Sequence, residues 1–132
     1  MDQAEAVRFA RRWADDWNSR DLEVILGHYA EDVVFTSPVA ASLQPETGGV
    51  LRGKAALRAY WGAALARVPD LRFRVEAVYV GVTTLVINYR NQLGNLVAEV
   101  LTLGPDGLVT AGHGTYLDAD AGAVSGVGAG DD

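Results

Sequence analysis

The chain has 132 residues, a length for one domain, and its 49% hydrophobic and 21% charged residues are too apolar a mixture for a disordered chain. Its formal net charge of −6 argues against nucleic acid, which needs a basic stripe, and against an anionic membrane surface. The absence of cysteine excludes disulfides, zinc–thiolate sites and cysteine nucleophiles. Met1-Asp2-Gln3-Ala4-Glu5 has no basic patch followed by an apolar run, so no signal peptide is expected. No apolar run approaches the roughly 18 residues of a membrane span, and a cytoplasmic location is expected.

Residues 4–18 read as an amphipathic helix, with Ala6, Phe9, Ala10, Trp13 and Trp17 on one side and Arg8, Arg11, Arg12 and Asp15 on the other. Asp2 and Glu5 resemble a capping box at its start. Asn18-Ser19-Arg20 breaks it, and Asp21 caps a second, shorter helix through Leu22, Val24, Ile25, Leu26 and Tyr29. Asp32 to Ser37 reads as a strand that Pro38 ends. Residues 38–52 show no periodicity and are expected to form a long functional or mobile loop. Lys54 to Val68 is a third helix, with Pro69 past its end. Strands at 71–80, 84–91, 96–103 and 108–117, separated by short turns, predict an antiparallel meander. A domain over 1–118 is followed by a tail, 119–132, of Ala, Gly and Asp with little else, expected to be disordered.

Three segments carry a resemblance. Trp17-Asn18-Ser19-Arg20-Asp21-Leu22, Tyr29-Ala30-Glu31-Asp32-Val33-Val34-Phe35-Thr36-Ser37-Pro38 and Gly53-Lys54-Ala55-Ala56-Leu57 resemble motifs of the nuclear-transport-factor-2-like superfamily, in its SnoaL-like branch. Together with the element order, the likeness covers residues 4–117. It implies an α+β fold in which a cone-shaped, curved antiparallel sheet wraps three N-terminal helices and encloses a pocket. Ketosteroid isomerases, polyketide cyclases, limonene-epoxide hydrolase and scytalone dehydratase share that fold.

Strand alternation predicts what faces the pocket. A turn of two or four residues around Gly94 puts Glu99 on one face with Asn88, Arg90, Leu101 and Leu103. Leu85, Ile87 and Tyr89 then face outward with Ala98, Val100 and Thr102, an apolar row that predicts a homodimer. A register one residue away would instead bring Tyr89 and Asn91 inside. By resemblance to the ketosteroid isomerases, Glu99 matches a pocket-facing oxyanion-hole aspartate, and Gly112, Gly114 and Tyr116 face inward on the last strand. Trp13, Trp17, Tyr29, Phe35 and Trp61 supply aromatic walls.

The resemblance also shows what is missing. The isomerases' carboxylate base and tyrosine hydroxyl fall at Ser37 and Trp13, and a lone serine is a poor base while an indole has no hydroxyl. Isomerase chemistry is therefore not expected. Epoxide hydrolysis needs two carboxylates flanking an arginine, for which Glu99, Arg90 and Asp16 are the candidates. Glu99 with Arg90 forms the candidate catalytic pair, or else a structural ion pair. His28 is expected among exposed positions of the second helix and His113 outside the cavity, so neither activates Ser37. Two isolated histidines make no metal site, no Gly-rich phosphate loop follows a strand, and no cofactor is implied. The reading that results is a SnoaL-like pocket, binding or enzymatic in the manner of the family's isomerases, cyclases and hydrolases but without the ketosteroid isomerase catalytic set, for a small, largely apolar molecule with one polar group near Glu99; the alternative is a non-catalytic dimeric interaction or ligand-binding module.

Overall fold

Helix α1 spans Gln3–Ser19 and begins with a complete capping box, in which Asp2 and Glu5 each accept a hydrogen bond from the other's backbone N–H. Glu5 N–H holds the Asp2 carboxyl below its ordinary range. The helix ends at Arg20, a non-glycine residue at φ +64°. That conformation is held in place because the Arg20 guanidinium reaches the carbonyls of Val68 and Leu65, at the end of a later helix. Asp21 then caps α2 (Leu22–Leu26) by accepting from Val24 N–H. The computed structural model describes residues 1–118, and the expected tail, 119–132, lies outside them.

Strand β1 begins at Tyr29 and runs to Thr36, so α2 is shorter than the sequence pattern suggests and Tyr29 belongs to the sheet. The expected loop at 38–52 is instead structured. Ser37 accepts from Val39 N–H and Pro38 occupies the first turn of α3 (Pro38–Leu43), a capping residue followed by the proline that helix starts favour. A 3₁₀ turn (Pro45–Thr47) leads to β2 (Val50–Arg52), which pairs antiparallel with β1. Helix α4 spans Lys54–Arg67. Among the described residues α3 thus adds a fourth α-helix to the three expected.

Strands β3 (Arg74–Val80), β4 (Thr84–Arg90), β5 (Leu96–Leu103) and β6 (Val109–Tyr116) form the expected antiparallel meander. β6 then pairs parallel with β1, giving a mixed, open six-stranded sheet in the order β2-β1-β6-β5-β4-β3. Register shifts between Tyr29 and Val34, Val75 and Ala77, and Thr102 and Leu103 bend it around the helices.

The register of β4 on β5 differs by one residue from the expected one. Asn91 N–H bonds to Asn95 O at 3.0 Å and Gly94 N–H to Asn91 O at 2.9 Å, leaving Gln92–Gly94 as a three-residue turn with Gly94 at φ +81°. An odd-length turn pairs odd with odd positions, so Ile87 faces Glu99 and Leu85 faces Leu101. Leu85, Ile87 and Tyr89 are therefore buried against the helices with Glu99 and Leu101. Asn88 and Arg90 lie on the other face, and of the apolar row that predicted a homodimer Leu85, Ile87 and Tyr89 are in the core while Ala98, Val100 and Thr102 stay on the convex face.

Candidate functional site

Between α1, α4 and the concave face of the sheet lies a recess of about 110 Å³. Trp13 and Trp17 of α1, Tyr60 and Trp61 of α4, Phe35 of β1, Phe73 ahead of β3 and Tyr89 of β4 wall it with rings. The rings interlock: Trp17 and Trp61 meet edge to face at 5.0 Å, Phe35 and Trp61 at 5.3 Å, and Phe73 lies 4.3 Å from Tyr89. Val39 and Leu43 of α3 and Val68 and Leu71 after α4 continue the apolar lining, with Arg67 and Gln92 as its more polar edge.

Few polar side chains reach this space, and each is held by local structure. Glu99 is 5% exposed, opposite Ile87 on one side and Gly114 on the other. Ser37 is 6% exposed because its hydroxyl caps α3. Trp13 Nε1 donates to the Tyr29 hydroxyl at 3.0 Å. Burial, reinforced by the Glu99 charge, pushes the Tyr29 phenol well above its ordinary range, so it stays a neutral hydroxyl. The Trp17 indole N–H is buried and without a hydrogen-bond partner among the described residues. At Gly114 a Cβ would lie 3.8 Å from each of Glu99 Oε1, Ser37 Oγ and Phe35 Cζ, ordinary contact distances with room to spare. The glycine leaves a methyl-sized gap between a carboxylate, a hydroxyl and a ring.

Eight of the sequence-predicted residues line the recess: Trp13, Trp17, Phe35, Ser37, Trp61, Glu99, Gly114 and Tyr116. Tyr29, Leu101 and Gly112 are on the concave side but in filled core rather than on the lining. Asn88 and Arg90 are corrections, since the odd turn at Gly94 puts them on the convex face. Arg90 Nε lies 3.6 Å from Glu76 and its guanidinium donates to Gly94 O at 2.8 Å, so it forms no pair with Glu99. Asp16 binds His28 Nε2 at 2.6 Å, outside the recess lining, so no arginine stands between two carboxylates there and the epoxide-hydrolase arrangement is not assembled. His28 is accordingly half-buried rather than exposed. His113 is on the convex face, bonded to Thr36 Oγ1 at 2.7 Å.

The sequence reading missed Tyr60, Phe73, Val39, Leu43 and Arg67. One signal in the sequence points to Val39 and Leu43, and one contact in the structure accounts for Phe73. Ser37-Pro38 marks a helix start, and the Asn18 side chain, within the segment Trp17–Leu22, pairs with both Phe73 N–H at 2.7 Å and Phe73 O at 2.9 Å. That two-point bond turns the Phe73 ring toward Trp13. Among the described residues no group of three or more His, Cys, Asp or Glu side chains is arranged to hold a metal, and no helix is long and apolar enough to cross a membrane.

Residues 10–117 match the family of the SnoaL-like domain. A SnoaL-like protein of unknown function from Burkholderia thailandensis is 41% identical, with a TM-score of 0.85 over 89% of this chain and 98% of that one. An NTF2-like protein of unknown function from Burkholderia pseudomallei shares the fold at 18% identity and a TM-score of 0.66, over 88% of this chain and 93% of that one. TerC, co-crystallised with polyporic acid, shares it at 18% identity and a TM-score of 0.69, over 89% of this chain and 92% of that one. No curated protein matches.

Proposed function

The chain belongs to the SnoaL-like domain family, and on that premise we propose that its recess binds a small, flat, largely apolar molecule whose single hydrogen-bond donor faces Glu99 and Ser37. The observation that carries this reading is the gap at Gly114. Strand geometry does not require glycine there, since the backbone is not in the left-handed region and an added Cβ meets nothing closer than 3.8 Å. A carboxylate and a hydroxyl nonetheless flank the space, inside a shell of aromatic rings. Acceptors beside stacked rings select a ring bearing a hydroxyl or amine over a plain hydrocarbon. A volume of about 110 Å³ limits the ligand to about one ring, being somewhat smaller than the dry apolar cavity of about 150 Å³ that takes up benzene.

Among the described residues Glu99 is the one carboxyl on the lining, and it is the group through which a proton could pass to or from such a ligand. Isomerase chemistry of the ketosteroid type is not proposed, because Trp13 offers an indole already bonded to Tyr29 and Ser37 offers a hydroxyl bonded to Val39 N–H. The test is a thermal-shift screen of phenols and anilines against wild type, Glu99→Gln and Gly114→Val. Ligands of this kind should raise the wild-type melting temperature, less so that of Glu99→Gln, and not that of Gly114→Val. Equal shifts in wild type and Gly114→Val would sink the reading.

The convex face favours a second, compatible reading, a homodimer. Tyr79 is 60% exposed in the row formed with Val86 and Val100, and Asn88 Oδ1 beside them is buried with no hydrogen-bond partner among the described residues. A second copy laid on this face would cover the row and supply a donor to Asn88. Light scattering should give about twice 14.0 kDa for wild type and 14.0 kDa for Val100→Glu. A monomeric wild type would remove this reading and leave the pocket untouched.

A further inference from the structure

Beside the recess, the strand ends bring three arginines to one cleft of about 370 Å³: Arg72 and Arg74 on either side of Phe73, and Arg90 at the end of β4. The chain as a whole is acidic, at −6, so this is charge concentrated against the average. Arg74 and Arg90 are direct cross-strand partners, an arrangement that by itself repels. One carboxylate serves both, with Glu76 3.2 Å from Arg74 Nε and 3.6 Å from Arg90 Nε. Arg72 makes no ion pair or hydrogen bond among the described residues. Three guanidinium charges and one carboxylate leave an excess of two positive charges.

The cleft is also pre-formed. The Asn18 side chain fixes Phe73 at both its N–H and its carbonyl, and Phe73 carries Arg72 and Arg74 as its chain neighbours. Cleft and recess share Phe73, Asn91 and Gln92, so a molecule seated in one touches the wall of the other.

We propose that this cleft is an oxyanion site that binds a phosphate monoester, with the ester group directed past Phe73 into the recess. A phosphate monoester carries close to two negative charges at pH 7, matching the excess, whereas a monocarboxylate matches half of it. Planar guanidinium groups suit its oxygens, each able to donate two parallel bonds. Entry of the ester group rests on the ligand reading of the recess; the oxyanion site stands without it.

Calorimetric titration of the full chain at low salt with 4-hydroxyphenyl phosphate, phenol, 4-hydroxybenzoate and inorganic phosphate tests the proposal; the hydroxyl para to the phosphate keeps the donor that phenol offers. 4-Hydroxyphenyl phosphate should bind at least about tenfold more tightly than phenol, and that gain should fade as salt rises. Arg72→Gln with Arg74→Gln should erase the gain and leave phenol binding unchanged. Arg72→Gln alone, at an exposed residue with no partner among the described residues, repeats the test if the double variant does not fold. Equal affinity for 4-hydroxyphenyl phosphate and phenol, or a gain that survives loss of the arginines, overturns the site; 4-hydroxybenzoate binding as tightly as 4-hydroxyphenyl phosphate overturns the phosphate assignment. Inorganic phosphate binding with no phenol binding supports the oxyanion site while the ligand reading of the recess fails.

Discussion

Gly112 and Gly114 face the same way on β6, two residues apart, and the molecule treats them oppositely. At Gly112 a Cβ would press on Leu101 Cδ2 at 3.1 Å and on Phe35 Cδ1 at 3.2 Å, so the missing side chain is space that its neighbours already fill. At Gly114 the nearest atoms, Glu99 Oε1, Ser37 Oγ and Phe35 Cζ, stand back at 3.8 Å. The same ring, Phe35, reaches both sites, touching the first closely and only edging the second. Between these two residues the concave face passes from close-packed core to hollow, and from aliphatic to polar neighbours. A glycine on the inner side of a curved strand therefore has two distinct uses, relief of crowding and preservation of room.

Perturbing the filled side should cost most. Leu101→Ala, at a fully buried residue, is expected to lower unfolding stability by ~2–5 kcal/mol in urea titration. Gly112→Ala should cost ~1–3 kcal/mol from overpacking. In the Leu101→Ala background the same substitution should cost less, because the nearer of the two atoms it meets, Leu101 Cδ2, has gone and only Phe35 Cδ1 remains. Additive losses in the double variant would show that the crowding at Gly112 does not come from Leu101.

Tyr29 belongs to the filled side as well, and Tyr29→Phe leaves the Trp13 indole N–H without its acceptor, an expected loss of ~1–3 kcal/mol. It also carries a pH signature. With its folded value raised by burial and by Glu99, Tyr29 contributes stability that is complete below about pH 10, where unfolded tyrosine begins to ionise, and that is lost as the pH rises beyond it. Stability of wild type measured from neutral to alkaline pH should fall more steeply above about pH 10 than that of Tyr29→Phe. Parallel curves would mean that the phenol ionises in place.

The smallest effect on stability is expected on the hollow side. Gly114→Ala should change it by less than ~1 kcal/mol, in the stabilising direction, since glycine within a strand is costly and nothing stands in the way of the methyl. The same substitution should weaken phenol binding. A loss as large as that of Gly112→Ala would erase the distinction between the two glycines.

Local chemistry was legible from residue types alone. Asp2 and Glu5 box the start of α1, Asp21 caps α2, and the Gly- and Pro-bearing turns separate four strands, because each depends on neighbours a few residues away. The segment Trp17–Leu22 was legible as a family motif, and its Asn18 proves to be the anchor of Phe73, a contact 55 residues along the chain that no periodicity announces. The helix at Ser37-Pro38 was written in the sequence in capping terms, yet the proline and glycines that follow it masked the signal.

The make-up of the recess was decided elsewhere. Side chains alternate along a strand, so one residue in the turn at Asn91–Asn95 chooses between Arg90 and Tyr89 as the inward neighbour; Gly94, in the left-handed region, selects the odd-length turn. The parallel pairing of β1 with β6 then sets Phe35 beside Gly112 and leads Ser37 to Gly114, while the pairing of β5 with β6 brings Glu99 to the same point. Composition and motif determined that this chain folds as a curved sheet over helices. Which side of each strand meets the hollow is a matter of register, and register is set by hydrogen bonds between segments far apart in sequence.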